Sequence, residues 1–207
     1  MELLVDLCNL ALMRLGNSET IDTLDDEKTT AKLCKALYRH VWDCVLRVHP
    51  WGFATRRAAL VAASAPAPTN WAFSYAVPAD CAFARSIVVP GLRAPRLSQA
   101  TPFEIGRDAD GAVCVFTDQA DAELVYTAKV DPAFTAPEVF AWEDPLFNNA
   151  FAARLAWELA PSLGKTGEMA ERAQRAYLAA LSEAQARDMS EGQGGEDPEP
   201  DFLACRR

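Results

Sequence analysis

Hydrophobic and polar positions alternate with a helical period over the first fifty residues and predict two helices. In the first, apolar residues recur every three or four positions from Leu4 until Gly16 supplies a stop. The second is predicted to start after an N-cap at Asp25 and to continue until Pro50 ends it. The acidic run 25–27 would then lie in the first turn, where acids complement the helix dipole without any catalytic role.

The pattern changes after Pro50, and the chain becomes rich in strand-forming residues as far as about Val139. Asp108-Ala109-Asp110-Gly111 predicts a hairpin turn, because glycine readily adopts positive φ. Several short strands at this spacing predict a small antiparallel sheet or a partly closed barrel. The apolar runs, separated by Pro, Gly, Asn or Asp, are 57–61, 72–77, 86–89, 113–117 and 123–130.

Helical spacing returns near Asp144-Pro145, which predicts an N-cap followed by proline at the first helical position. This third helix should end at Pro161–Gly164, and a fourth should begin near Thr166. One face of the fourth helix is rich in alanine, which predicts close approach to a neighbouring helix. From Met189 onward the chain is polar and acidic, so a flexible arm is expected.

These elements predict an α+β fold in which a four-helix bundle is interrupted by a β insertion. Two N-terminal and two C-terminal helices, in residues 1–50 and 140–188, would form the bundle. Residues 51–139 would form the small antiparallel β insertion. Residues 189–207 would be an extended, flexible and acidic C-terminal arm.

Composition narrows the classes of function. The chain has 207 residues and a formal net charge of −9, which is the wrong sign for a protein that grips nucleic acid over much of its surface. No stretch approaches the roughly 18 uninterrupted apolar residues of a membrane span, so no membrane association is expected. The six cysteines contain no CxxC pair and no signal peptide is recognisable, which favours reduced thiols in a cytoplasmic product.

The sequence contains no spacing typical of a catalytic or metal site. The two histidines, His40 and His49, have no neighbouring nucleophile or carboxylate at a triad-like spacing, and we interpret both as structural. Close cysteine pairs and HxxxH motifs are absent as well. We therefore predict no enzyme activity, no cofactor and no metal.

Two features of the sequence predict contacts with partners. Basic residues from Lys28 to Arg47 follow one side of the second helix, either as a solvated face or as a subunit interface that meets the acidic surface of another copy. The polar arm ends in apolar and basic residues, which is either a solubilising end or an anchor in a partner's groove. The predicted interface residues are Lys28, Lys32, Lys35 and Arg39, and the predicted partner-binding residues are Phe202, Leu203, Arg206 and Arg207.

Several segments together resemble a known family, the tail tubular protein A or head-to-tail adaptor proteins of short-tailed bacteriophages. Their order and spacing carry the resemblance, which extends to about Asp188. The two more specific segments are Pro-Trp-x-Phe-Ala after the second helix and Tyr-x-x-Pro-x-Asp in the insertion. The matching stretches are Asn9-Leu10-Ala11-Leu12 through Leu15-Gly16, Pro50-Trp51-Gly52-Phe53-Ala54, Tyr75-Ala76-Val77-Pro78-Ala79-Asp80, Leu124-Val125-Tyr126 with Val130, and Asp144-Pro145-Leu146-Phe147.

The resemblance implies a structural protein of the virion, assembled in the host cytoplasm and located between head and tail. Such proteins form a homo-oligomeric ring, commonly of twelve subunits, that joins the portal protein to the tail nozzle protein and supports tail fibres. Double-stranded DNA passes through the ring without specific binding, and the ring helps to retain packaged DNA. The placement of similar C-terminal arms in the family implies that residues 189–207 reach the portal.

Two other classes of function remain as alternatives. A tail-associated glycan-degrading enzyme would need two carboxylates about 5 to 10 Å apart, one of them with a raised pKa. A DNA-binding module would use the basic side of the second helix and would lose affinity steeply with salt.

Overall fold

A computed structural model of the chain describes residues 2–89, 101–130 and 144–191. The helices in these ranges are α1 (Glu2–Arg14), α2 (Thr29–Val48), α3 (Pro145–Ser162) and α4 (Gly167–Glu191), and a single 3-10 turn, Gly52–Ala54, follows α2. The strands are β1 (Thr55–Ala59), β2 (Val61–Ala62), β3 (Phe73–Ala76), β4 (Cys81–Val88), β5 (Phe103–Arg107), β6 (Val113–Thr117) and β7 (Glu123–Ala128). None of the helices in the described ranges is both long enough and apolar enough to span a membrane.

The predicted helix ends are confirmed at three places. Gly16 has a φ of 67° just after α1, and Gly164 has a φ of 64° just after α3, so each glycine occupies a left-handed position that closes a helix. At the start of α3, the Asp144 carboxylate accepts a hydrogen bond of 2.8 Å from the Leu146 amide, with Pro145 in the first turn. The fourth helix continues through Glu191, so the first residues of the predicted arm are helical.

The predicted start of the second helix is wrong, because α2 begins at Thr29 rather than after Asp25. The Asp26 carboxylate accepts hydrogen bonds from the Asp22 amide (2.9 Å) and the Thr23 hydroxyl (2.8 Å), and these bonds lower its pKa. A side chain that binds upstream backbone in this way stabilises a turn in place of a helical turn. The acidic run therefore precedes the helix and does not complement its dipole.

The prediction of a four-helix bundle with a small β insertion is wrong. Helix α3 packs against α1, α2 and α4, whereas α1 and α2 contact each other little and α4 packs mainly on α3. A bundle would require each helix to share its apolar stripe with two neighbours. Here α3 is buried on nearly all sides and forms the centre of the helical part, and its buried residues are Phe147, Ala150, Phe151, Ala152, Ala153, Leu155, Ala156, Leu159 and Ala160.

The β part is larger than predicted and contains two antiparallel sheets. One has three strands in the order β1-β7-β4, and the other has four in the order β2-β3-β6-β5. Tyr75, Ile87 and Val115 belong to a buried apolar cluster that includes strands from both sheets. A separate apolar cluster fills the helical part and reaches Val130, two residues after β7.

Strands β6 and β7 confirm the predicted runs 113–117 and 123–130. Strand β5 was not predicted. The turn between β5 and β6 is the predicted hairpin, with Gly111 at a φ of 82° and the Asp108 carboxylate accepting from the Ala112 amide at 2.8 Å. Residues 131–139 of the predicted β insertion lie outside the described ranges. The start of the predicted C-terminal helical segment, at residue 140, lies outside them as well.

Candidate functional site

The predicted interface residues each have a partner within the chain. Lys32 pairs with Glu27 at 2.6 Å, and Lys35 pairs with Asp25 at 2.5 Å, which raises the pKa of Lys35. Lys28 donates to the Thr20 carbonyl at 2.7 Å, and Arg39 pairs with Asp43 at 3.2 Å. Exposed pairs of this kind stabilise a fold little, so their partners can be exchanged for those of another subunit. Their role in a subunit interface stays a prediction, and the predicted partner-binding residues Phe202, Leu203, Arg206 and Arg207 lie outside the described residues.

A largely buried polar cluster lies where α2 ends. His49 Nε2 lies 2.8 Å from Asp188 Oδ2, and the side chains are only 11% and 13% exposed. The other oxygen of Asp188 accepts a hydrogen bond of 2.8 Å from the Gly52 amide. Residue 49 has extended backbone before Pro50, as expected for a residue that precedes proline. We call residues 49–54 together with Asp188 the joint.

Trp51 anchors the joint in the helical core. Its side chain is fully buried, and its indole Nε1 donates to the Val45 carbonyl at 2.9 Å. Its ring makes edge contacts with His49 and Phe147, at centroid distances of 4.8 and 5.0 Å. A Cβ at residue 52 would lie 3.3 Å from Asp188 Oδ1, so glycine permits the close approach of the carboxylate. The joint is therefore held by α2, α3 and α4 together.

Arg85 of β4 connects the joint to the sheets. Its Nη2 donates to the carbonyls of Arg47 (3.0 Å) and His49 (2.8 Å), and its Nε donates to the Thr127 hydroxyl (2.9 Å). These carbonyls belong to the C-terminal end of α2, where a helix leaves acceptors unpaired and favours positive charge. Burial lowers the pKa of Arg85, and the nearby positive charge of Arg47 lowers it further.

A cluster of positive charge lies beside the joint. The guanidinium groups of Arg47 and Arg85 both lie over the Phe83 ring, 4.6 and 4.5 Å from its centroid. Lys129 donates to the Ala79 carbonyl at 3.3 Å. Across the described ranges, no carboxylate forms an ion pair with Arg47, Arg85 or Lys129. A cleft of about 310 Å³ lies next to them, and its lining residues define what we call the cation cleft: Arg39, His40, Asp43, Cys44, Arg47, Ala82 and Lys129.

The sequence predicted little of this arrangement. Arg47 was assigned to the basic side of the second helix, and His49 was interpreted as structural without a carboxylate neighbour. Its carboxylate comes from Asp188, which is 139 positions away. The other residues that the sequence missed are Arg85 and Lys129. No local spacing indicates them, because only the fold brings β4 and the residue that follows β7 close to Arg47.

No group of three or more His, Cys, Asp or Glu side chains within the described residues could hold a metal ion. Cys8 and Cys34 are buried thiols on α1 and α2, and the hydrogen bond with Cys34 raises the pKa of Cys8. Cys44 and Cys81 are half-buried, and all of these thiols are free. In comparisons with known proteins, no family model matches the chain and no curated protein matches it either.

Proposed function

We propose that this chain is a structural subunit of a bacteriophage head-to-tail adaptor. In this proposal about twelve copies form a ring that joins the portal protein to the tail nozzle, extends the DNA channel and helps to retain the packaged genome. The proposal rests on the resemblance of the sequence segments given above. The contacts that those segments make in the fold support it.

The observation that carries the proposal is that the two more specific segments form connections between parts of the fold. Pro50–Ala54 contains the buried Trp51 and binds Asp188 of α4, so it fixes the exit of α2 toward β1. In the second segment, Asp80 accepts hydrogen bonds from the Tyr126 hydroxyl (2.9 Å) and from Arg56 (2.7 Å). Asp80 thereby connects the turn before β4 to β1 and β7.

A third segment has a similar role. The side-chain amide of Asn9 donates to the Ile21 carbonyl and accepts from the Ile21 amide, both at 2.9 Å. These paired bonds fix the connection between α1 and α2 against α1. Residues that resemble the family thus orient the elements relative to one another, as a subunit needs when it must keep a fixed shape in a ring.

The charge of the chain agrees with a channel for DNA. Each contact between a basic side chain and a phosphate adds salt-dependent affinity and would slow a sliding duplex. A net charge of −9 and the internal pairing of Lys32 and Lys35 reduce such contacts.

The test is the mass of the particles formed by the chain alone, by the portal protein of the same genome, and by their mixture, measured by light scattering. We expect the mixture to give one complex with about twelve copies of the chain per portal ring. A chain that stays separate from the portal would overturn the proposal, and release of sugars from cell-wall or surface glycan would point to the enzyme instead.

Two variants locate the contacts in this experiment. Phe202→Ser with Leu203→Ser should abolish copurification with the portal and leave the circular dichroism spectrum unchanged. Lys32→Glu with Lys35→Glu should reduce the number of copies per complex if these residues contact a neighbouring subunit. If both double variants form unchanged complexes, the predicted portal contact and the predicted subunit contact are wrong.

A further inference from the structure

Two cations of the cation cleft, Arg47 and Lys129, form no ion pair with a carboxylate of the described residues, although the net charge of the chain is −9. Within the cleft Asp43 pairs with Arg39, which leaves the charges of Arg47 and Lys129 without a carboxylate among the described residues. Other arginines of the described residues do have one, such as Arg56 with Asp80 and Arg154 with Glu158. A site of this kind favours an anionic partner.

An acidic segment of the same chain follows α4. Residues 192–201 carry four carboxylates and no basic side chain, and these acids, which we call the arm acids, are Glu196, Asp197, Glu199 and Asp201. Glu196 is five residues beyond Glu191, the last residue of α4, so it can lie up to about 17 Å from it.

The last turn of α4 is held beside the cleft. Asp188 binds His49 Nε2 at 2.8 Å, and the carbonyl of His49 accepts from Arg85 at 2.8 Å. Arg85 shares the Phe83 ring with Arg47, which lines the cleft. The arm therefore starts near the cations, and tethering of this kind produces a high effective concentration of the arm acids at the cleft.

We infer that the arm acids dock in the cation cleft of the same chain. The ligand is an acidic peptide segment, and the groups that bind it are Arg47 and Lys129, with Arg85 adding to the positive field. This inference goes beyond the proposed ring and does not depend on it. In the free subunit, docking holds the end of the arm against its own chain, and a partner that takes the arm must displace it from the cleft.

A spin label on Cys205 tests the inference in the full-length chain. Cys44→Ser and Cys81→Ser remove the half-buried thiols, and the buried Cys8, Cys34 and Cys114 are protected from the label. Nuclear magnetic resonance then measures paramagnetic broadening of the backbone amides. We expect broadening at Ala82 and at the other residues of the cation cleft.

Charge variants show whether the broadening comes from the arm acids. Arg47 and Lys129 provide two exposed charge pairs, each with a factor of about 1.4 or more, so we expect at least about a twofold loss of docking when the arm acids are neutralised. Arg47→Gln with Lys129→Gln should reduce the broadening as well, and so should about 1 M salt, where the Debye length is about 3 Å. The arm variant is Glu196→Gln, Asp197→Asn, Glu199→Gln and Asp201→Asn, and its control with equal charge is Glu19→Gln, Glu168→Gln, Glu171→Gln and Glu183→Gln.

Each outcome decides the inference. Broadening that the arm variant loses and the control variant keeps would support it. Broadening that is absent in the full chain, or equal in both variants, would overturn it. Docking between copies is detected in a mixture of two chains, one with the isotope and no spin label, the other with the spin label and no isotope. Broadening of full strength in that mixture would overturn the assignment to the same chain. The spin-label experiment needs only the isolated subunit, so failure of this inference can be distinguished from failure of the proposed ring.

Discussion

Replacing Asp188 by alanine should destabilise the fold through the joint. The substitution removes two hydrogen bonds to a carboxylate, from Gly52 N at 2.8 Å and with His49 Nε2 at 2.8 Å. At about 1.5 kcal/mol for each such bond, the loss is about 3 kcal/mol. Asp188 lies in the last turn of α4, where an acid opposes the helix dipole, and relief of that repulsion returns about 0.3 to 1 kcal/mol. We therefore expect a net loss of about 2 to 2.7 kcal/mol.

Urea unfolding followed by tryptophan fluorescence measures this loss, since the Trp51 ring lies 4.8 Å from His49. Glu183→Ala is the matched control, because it removes an exposed acid from the same helix and should change the free energy of unfolding by less than about 0.5 kcal/mol. Asp188→Asn should recover part of the loss, because an amide oxygen can still accept from Gly52. Hydrogen exchange at the Gly52 amide should accelerate in Asp188→Ala. A loss equal to that of Glu183→Ala would refute the role of the joint.

Two further predictions concern the sheets. Gly106→Ala should cost about 1 to 3 kcal/mol in the free energy of unfolding, because its Cβ would lie 2.6 Å from the Phe116 ring, whereas Gly167→Ala meets no atom within 4 Å and should cost nothing. Equal urea midpoints for the two variants would contradict this. Burial and the hydrogen bond to Asp80 raise the pKa of Tyr126, so its contribution to stability is complete below pH 10.0 and is lost as the pH rises through the higher folded value. Tyr126→Phe should flatten the alkaline fall in the free energy of unfolding, measured together with tyrosinate absorbance, and an unchanged slope would exclude this cause.

The sequence predicts the helices better than their arrangement. The N-cap at Asp144 and the glycines at positions 16 and 164 act locally, through hydrogen bonds and backbone conformations within one turn, so the sequence indicates where those helices begin or end. Asp26 also acts locally, but its carboxylate binds the preceding turn, and a pattern of acids before a helix does not distinguish the two roles.

The central position of α3 was available in the sequence as apolar residues on all sides of the helix. The predicted bundle instead treats all four helices as equivalent. The strands show a similar limit. Strand β5 contains Gly106 and charged residues, and the Phe116 ring of β6 lies over that glycine. Packing of this kind has no local pattern.

The candidate site depends on contacts between residues far apart in the chain. Arg85 reaches the carbonyls at the end of α2 from 36 to 39 positions away, and Asp188 reaches His49 from 139. The sequence could supply the basic character of α2 and the acidic character of the arm. The sequence does not show which cations form ion pairs within the chain and which remain available to a partner.

The central position of α3 also fixes an order of events during synthesis. Translation produces α1 and α2 first, yet these two helices contact each other little, and the surface on which both pack consists of residues 145–162. Trp42 of α2 packs against Phe147 and Phe151 of α3, so it lacks these partners until about a hundred later residues have left the ribosome. Contacts of such long range fold slowly and leave apolar surface open to aggregation in the meantime. The nascent N-terminal segment is thus the part of this protein that a chaperone would protect.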